Sequence, residues 1–309
     1  MGHDAEDKEY YIDNSRNLFE FLLEARQWTG FDIIKLNTWI KNFDALENGE
    51  YYACKILNRI IAYSESDIVQ MLQDGIYKIM HKEVILPLLK EKEFSVLESE
   101  LDYSIQEALD KTLFAPLLAY GVPGESADSM MRFLTQKFKP SIKNKMFISK
   151  IPEDYPCNTI ILVDDCIGSG EQFSEFWETA EISNRKLLRD WCKERNIHAY
   201  YLCLVAFDKS IDRLKGEYSD ISIITIEEIS EKHGIFNINN EVWDNEQELK
   251  MAKCEIQKLI QEKGINLKGH DELDFGVILH NSIPDWSLPI LFKEKNDWRL
   301  LVERKDSND

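Results

Sequence analysis

The stretch that decides the fold is TIILVDDCIGSGEQFSEF, residues 159–176. Four apolar residues, 160–163, run into the acid pair Asp164 and Asp165, and a Gly-Ser-Gly turn follows at residues 168–170. Beyond the turn, apolar residues recur at helical spacing. This order predicts a buried strand, a loop and a helix. Because open α/β sheets bind ligands at the carboxyl ends of their strands, the acid pair marks a candidate site.

The chemistry of this stretch suits a sugar phosphate. Glycines at 168 and 170 let the backbone turn tightly and approach an anion, and the following helix presents unpaired N–H groups to it. The two carboxylates can accept hydrogen bonds from hydroxyls or hold a hydrated cation. A plainer alternative is that the acids cap a helix and bind nothing, since short motifs produce false matches.

The rest of the second half predicts an α/β fold with a mainly parallel sheet and flanking helices. Three further strand-like apolar runs are Thr112–Tyr120, His198–Phe207 and Ile221–Ile226. They alternate with helical patterns, which is typical of parallel sheets. Right-handed crossovers would gather the loops at 121–129, 164–170 and 208–210 at one sheet edge. The predicted pocket therefore has three contributing loops.

The amino-terminal part predicts an all-α region. Apolar residues recur at helical spacing from Ser15 to Leu101, with Ser15 as the expected first cap and Ser64–Asp67 as another. We predict a helical region over residues 1–110 and an α/β domain over 111–309. The latter would carry an inserted helix near 246–263 and a carboxy-terminal tail that packs back on the core.

Composition limits the function classes. The chain has 309 residues, 44% of them hydrophobic, and a formal net charge of −19. Such a negative charge disfavours direct nucleic acid binding and favours a basic protein partner. The six cysteines are scattered, without metal-ligand spacing, and no apolar run approaches the length of a membrane span. The expectation is an acidic, soluble, cytoplasmic protein with reduced thiols and no membrane contact.

A response-regulator receiver is one alternative fold, because receivers also place adjacent acids after a strand. Their acids open the domain, however, and two helices precede the phospho-accepting aspartate. Here the pattern predicts a single helix between Asp165 and the strand that ends at Phe207. We therefore rank the receiver interpretation low.

The segment ILVDDCIGSGEQF, residues 161–173, resembles the phosphoribosyl pyrophosphate signature of type I phosphoribosyltransferases. The resemblance implies that Asp164 and Asp165 hold the ribose hydroxyls and form the catalytic acid pair. It assigns the 5′-phosphate to the turn and helix start, namely Gly168, Ser169, Gly170, Glu171 and Gln172. The implied ligand is phosphoribosyl pyrophosphate or a nucleotide.

Two further features follow from the same resemblance. The loop after the strand at 112–120 stands where the family has its pyrophosphate loop, with candidate residues Gly121, Val122, Gly124 and Ser126. Mg²⁺ would arrive with the pyrophosphate and bind through that ligand, without a dedicated metal site, and Asp164 or Asp165 are the candidate protein contacts.

Most of the chain is similar to one branch, the phosphoribosyltransferase-like proteins of bacterial conflict or antiphage defence systems (PRTase-CE-like). The supporting segments are WIKNFD at 39–44, AYSESDI at 62–68, NSIPDWSLPILF at 281–292 and WRLLVER at 298–304. The matched tail positions are Asn281, Pro284, Pro289, Trp298 and Arg304. The resemblance implies a partner protein from the same system, in some cases a retron reverse transcriptase.

The sequence leaves open whether the site is catalytic. Glu171 and Gln172 stand where the family has a small residue and a hydroxyl, and a carboxylate beside a phosphate is unfavourable unless it points away. One hypothesis is an enzyme that transfers or cleaves a glycosidic bond. The others are a non-catalytic nucleotide sensor and a protein-interaction scaffold.

Overall fold

A computed structural model describes residues 2–117, 126–136, 142–280 and 282–304. The chain forms two compact units, the first from residues 2–68 and 229–304, and the second from residues 69–228. The domain division at residue 110 and the assignment of the tail to the α/β domain stay predictions, because compactness alone does not define a domain.

The helices and strands of the described residues are as follows. The helices are α1 (Gly2–Glu24), α2 (Ile33–Ile40), α3 (Gly49–Leu57), α4 (Glu65–Met80), α5 (Leu86–Glu91), α6 (Glu98–Asp110), α7 (Ser126–Gln136), α8 (Glu171–Thr179), α9 (Leu188–Arg195), α10 (Asp208–Glu217) and α11 (Glu246–Glu262). The strands are β1 (Ile61–Tyr63), β2 (Thr112–Pro116), β3 (Thr159–Ile167), β4 (His198–Phe207), β5 (Ser222–Ile229) and β6 (Val277–Leu279).

The second unit contains a four-stranded sheet in the order β2-β3-β4-β5. Strand β3 pairs in parallel with β2 on one side and with β4 on the other, so it is an interior strand of the sheet. Strands buried on both faces read as continuous apolar runs, which is why β3 and β4 carry few polar residues. The sheet, its flanking helices and the helical amino-terminal region confirm the predicted fold class.

Both faces of this sheet are covered within the second unit. On one face, Phe173 of α8 stacks on Tyr201 of β4 with 4.4 Å between ring centroids. On the other, Gly75 of α4 lies so close to β4 that an added Cβ would be 2.3 Å from a Leu202 methyl group. Helix α4 can approach the sheet this closely because it has no side chain at residue 75.

The connection from β3 to β4 differs from the prediction of a single helix. Helix α8 ends at Thr179, a short antiparallel bridge joins Glu181 to Leu187, and α9 then begins. Arg185 in the intervening turn has a φ of 64°, which no helix accommodates. The helix-count argument against a receiver fold was therefore wrong.

The core of the first unit combines amino-terminal helices with the carboxy-terminal tail. The indoles of Trp39 and Trp298 both donate hydrogen bonds to the Ile290 carbonyl, at 2.7 and 2.9 Å. Strands β1 and β6 form a parallel pair of three residues each. Ser15, the expected cap, instead lies inside α1, where its buried hydroxyl accepts a hydrogen bond from Asn58.

A buried lysine also ties this unit together. The Nζ of Lys55 on α3 lies 2.8 Å from Asp244 Oδ1 and 3.6 Å from Glu248 Oε2. It also lies 4.8 and 4.9 Å from the ring centroids of Tyr11 and Tyr51. Because a buried ammonium group needs such partners, this cluster fixes α1 and α3 against residues 242–248.

Candidate ligand-binding site

The acid pair lies near the carboxyl end of β3, with only Cys166 and Ile167 remaining in the strand. Asp164 and Asp165 are both buried, each 4% exposed. Successive side chains of a strand point to opposite faces, so the two carboxylates leave β3 in different directions. A ligand that contacts both must therefore approach along the strand end rather than over one face.

Asp164 lies in a hydrogen-bonded, water-poor environment. Its Oδ2 accepts a hydrogen bond from the Tyr201 hydroxyl at 3.0 Å, and its Oδ1 accepts one from the Asp165 backbone N–H at 2.9 Å. Burial, followed by the neighbouring Asp165 charge, raises the pKa of Asp164 well above its usual range. The uncharged form of Asp164 is thereby favoured more strongly than that of an aspartate in water.

Tyr201 links the acids to the start of α8. Its ring stacks on Phe173, which lies in the first turn of that helix. The same stack that holds α8 on the sheet thus positions the hydroxyl that reaches Asp164. Sequence reasoning missed Tyr201. In the structure Tyr201 pairs with Leu162, which lies two residues before Asp164 on the same strand, and this register brings the hydroxyl within reach of Asp164.

The Gly-Ser-Gly turn leads directly into α8. Gly170 is the residue before the helix and has a φ of 82°, in the left-handed region that favours glycine. A Cβ at this position would lie 2.8 Å from Leu214 Cδ1. Both the backbone angle and the close approach of α10 therefore require glycine here. Gly168 and Ser169 are half-buried.

The first residues of α8 face water. Glu171 and Gln172 are both exposed, and the Glu171 backbone N–H donates to the Ser169 hydroxyl at 3.4 Å. A carboxylate that remains hydrated interacts weakly with a neighbouring anion. The exposure of Glu171 therefore leaves room for a phosphate at the turn.

Arg213 on α10 was also missed by sequence reasoning. Its Nη2 donates to the Ser169 carbonyl at 2.8 Å, and its Nη1 donates to Glu217 Oε2 at 2.7 Å. The Arg213–Glu217 spacing is an ordinary helical ion pair, so the sequence contained no signal for the contact with the turn.

The strand register brings the carboxyl ends of β2, β3 and β4 to one edge of the sheet. Pro116 at the end of β2 pairs with Val163, and the Leu117 N–H donates to the Val163 carbonyl at 3.0 Å. Helix α10 begins directly after β4, at Asp208. Of the pyrophosphate-loop candidates, Gly121, Val122 and Gly124 lie outside the described residues, and Ser126 is the first residue of α7.

The donor chemistry of the acid pair fits Mg²⁺, which proteins bind through one or two carboxylates together with substrate phosphates. Within the described ranges, no group of three or more His, Cys, Asp or Glu residues is arranged to hold a metal ion. No helix in the part of the chain that the structure describes is both long and apolar enough to cross a membrane.

Comparison with known proteins identifies the family. A family model described as PRTase-CE matches residues 36–304, which include both sheets, the acid pair and the tail. No curated protein matches the chain significantly. Because the family match spans most of the 309 residues, the chain belongs to the PRTase-CE family of phosphoribosyltransferase-like proteins.

Proposed function

We propose that this protein binds a ribose-phosphate ligand, phosphoribosyl pyrophosphate or a nucleotide, at the carboxyl end of β3. Asp164 and Asp165 hold the ribose hydroxyls. The phosphate lies at the Gly-Ser-Gly turn and the first residues of α8, namely Gly168, Ser169, Gly170, Glu171 and Gln172. The observation that carries the proposal is the pair of buried carboxylates that precedes a left-handed glycine turn.

The environment of Asp164 suits a hydroxyl ligand. A carboxyl group that already accepts from Tyr201 and from a backbone N–H has fixed orientation, and its remaining lone pairs can accept from ribose. Because burial raises the pKa of Asp164, cation binding beside it favours the ionised form.

Mg²⁺ enters this proposal as a companion of the ligand. Asp164 or Asp165 supplies the protein oxygen, and the ligand and water supply the others. When bound, the ion offsets the charge of the phosphates. Gly121, Val122, Gly124 and Ser126 remain the proposed contacts for a pyrophosphate group.

Two activities are compatible with this site. In the enzymatic version, the acid pair fixes the ribose while pyrophosphate leaves C1 and an acceptor bonds to C1 in its place. In the cleavage version, water replaces the base at C1 of a bound nucleotide. In the alternative, the protein is a non-catalytic nucleotide sensor or scaffold. Glu171 and Gln172, which stand where the family has a small residue and a hydroxyl, favour binding over turnover.

The wider role that we propose is in an antiphage defence system, with a partner protein and in some cases a retron. The net charge of −19 favours a partner with a basic surface. The match to the PRTase-CE family supports this role, and we place the protein in the cytoplasm.

Calorimetry tests the ligand proposal. Phosphoribosyl pyrophosphate and a panel of nucleotides are titrated with and without Mg²⁺ into the unsubstituted protein, Asp164→Asn and Asp165→Asn. Asp190→Asn, an exposed aspartate on α9, is the matched control. We expect tenfold or greater weakening in the two site variants only, at roughly 1.4 kcal/mol per factor of ten.

The outcomes separate the hypotheses. No binding by the unsubstituted protein to any of these compounds would exclude both the enzyme and the sensor. Binding without product formation across a broad panel of acceptor bases would favour the sensor. Equal weakening in Asp190→Asn would show that the acid pair is not the binding site.

A further inference from the structure

Arg213 places a guanidinium group directly on the Gly-Ser-Gly turn. It donates to the Ser169 carbonyl at 2.8 Å, and its Nη2 would lie 3.3 Å from a Cβ built on Gly170. Its side chain is 41% exposed, so it is open to a ligand that arrives from solvent. Only two of the five N–H donors of an arginine are used in its bonds to Ser169 and Glu217.

The charges at the turn make this arginine significant. A ribose phosphate brings about two negative charges to a turn that is followed by Glu171. The guanidinium group matches phosphate geometry and stays charged at all ordinary pH values. A cation on the turn therefore offsets the repulsion between the ligand phosphate and the Glu171 carboxylate, which the backbone N–H groups alone would not offset.

Arg213 is held in place from two sides. Leu214, the next residue of α10, is fully buried and contacts the Gly170 backbone position closely. Glu217, one helical turn later, lies 2.7 Å from Arg213 Nη1. The leucine fixes the distance between α10 and the turn, whereas the glutamate neutralises part of the arginine charge in the free protein.

We infer that Arg213 contacts the phosphate of the bound ligand and that Glu217 competes with that phosphate for the guanidinium group. This assignment rests on the proposed function, since it concerns the same ribose-phosphate site. It makes the Arg213–Glu217 pair a determinant of selectivity for phosphorylated ligands over free nucleosides.

Four variants test the assignment by calorimetry with AMP, ribose 5-phosphate, phosphoribosyl pyrophosphate and adenosine. Arg213→Gln should weaken binding of the phosphorylated compounds by about 10- to 100-fold, because a charge-assisted hydrogen bond is lost. Arg213→Lys should recover part of that loss. Glu217→Gln should tighten the same compounds about twofold, because the competing carboxylate is removed.

The matched control is Arg189→Gln. Arg189 is also a partly exposed arginine in an ion pair, with Asp220 at 2.9 Å. Asp220 lies before the amino end of β5, whereas Arg213 lies on the helix that follows the carboxyl end of β4. Its substitution should leave all affinities unchanged. Adenosine affinity, where measurable, should be the same in all variants.

The results distinguish this assignment from the proposed function. If the unsubstituted protein binds none of the phosphorylated compounds, the proposed function fails and the role of Arg213 fails with it. If it binds them and Arg213→Gln binds equally well, only the arginine assignment is overturned. If Arg213→Gln and Glu217→Gln weaken binding alike, the pair merely supports the turn, and phosphate contact by Arg213 is refuted.

Discussion

Replacing Gly170 with alanine should destabilise the protein through the turn that precedes α8. The φ of 82° places an L-residue in the left-handed region, at a cost of about 1–2 kcal/mol. The new Cβ would lie 2.8 Å from a methyl group of Leu214, which is fully buried and cannot move into solvent. Overpacking of this kind costs about 1–3 kcal/mol.

The unfolded chain reduces this effect in part. Alanine has less backbone freedom than glycine in the unfolded state, which favours folding by about 0.4–1 kcal/mol. The expected net loss in the free energy of unfolding for Gly170→Ala is therefore about 1–5 kcal/mol. We also expect weaker ribose-phosphate binding, since the turn must shift to relieve the contact.

Gly216→Ala is the matched control on the neighbouring helix. An added Cβ there meets no atom within 4 Å, and residue 216 lies within α10. Helical Gly→Ala changes stabilise by about 0.5–1 kcal/mol, so the two substitutions should act in opposite directions. Urea unfolding followed by far-UV circular dichroism gives both changes as shifts in midpoint at constant slope. Equal stability of Gly170→Ala and the unsubstituted protein would refute the reasoning.

Three other predictions concern charge and thiols. Because burial raises the pKa of Asp164, the folded state holds its proton longer than the unfolded state, and stability falls as the pH rises above the ordinary aspartate range. Asp164→Asn, whose amide can still bond Tyr201, should flatten that fall in pH-dependent melting; an unchanged pH profile would contradict this. Lys55→Met should lower the free energy of unfolding by about 3–5 kcal/mol in urea titrations, because Glu248 loses its buried cation; a loss below 1 kcal/mol would argue against the ion cluster. A thiol-reactive dye should modify the exposed Cys254 rapidly in the native protein, and Cys254→Ser should abolish that phase. Burial raises the pKa values of Cys54, Cys157, Cys192 and Cys203, and burial together with the Asp165 and Asp164 charges raises the pKa of the half-buried Cys166.

The regular α/β elements could be predicted from the sequence because their signals are local. The apolar run before Asp164 gave β3, and the run from His198 gave β4 with the same bounds. The cap at Ser64–Asp67 is also present, with the Asp67 carboxylate accepting from the Ser64 N–H at 2.8 Å. Each of these depends on residues within one element.

The features that sequence reasoning missed depend on contacts between distant residues. Strands β1 and β6 have three residues each and pair across more than 200 positions, too short for a periodic signal. The start of α1 is an acidic stretch without apolar periodicity, so the helix was placed from Ser15 onward. In the site, the acid pair and the glycine turn could be predicted from the sequence. The roles of Tyr201 and Arg213 follow only from the strand register and the placement of the helices.

The first unit is formed from two segments that are far apart in the sequence, which has a consequence for synthesis on the ribosome. Its first 68 residues emerge early, but the partner strand β6 and the tail tryptophan that complete its core come after residue 228. About 200 residues separate residue 68 from β6, which at roughly 5–20 residues per second takes about 10–40 s. During that interval the early helices have no complete core. Nascent chains stalled before β6 should therefore bind chaperones and resist protease poorly, and both properties should change once the tail has emerged.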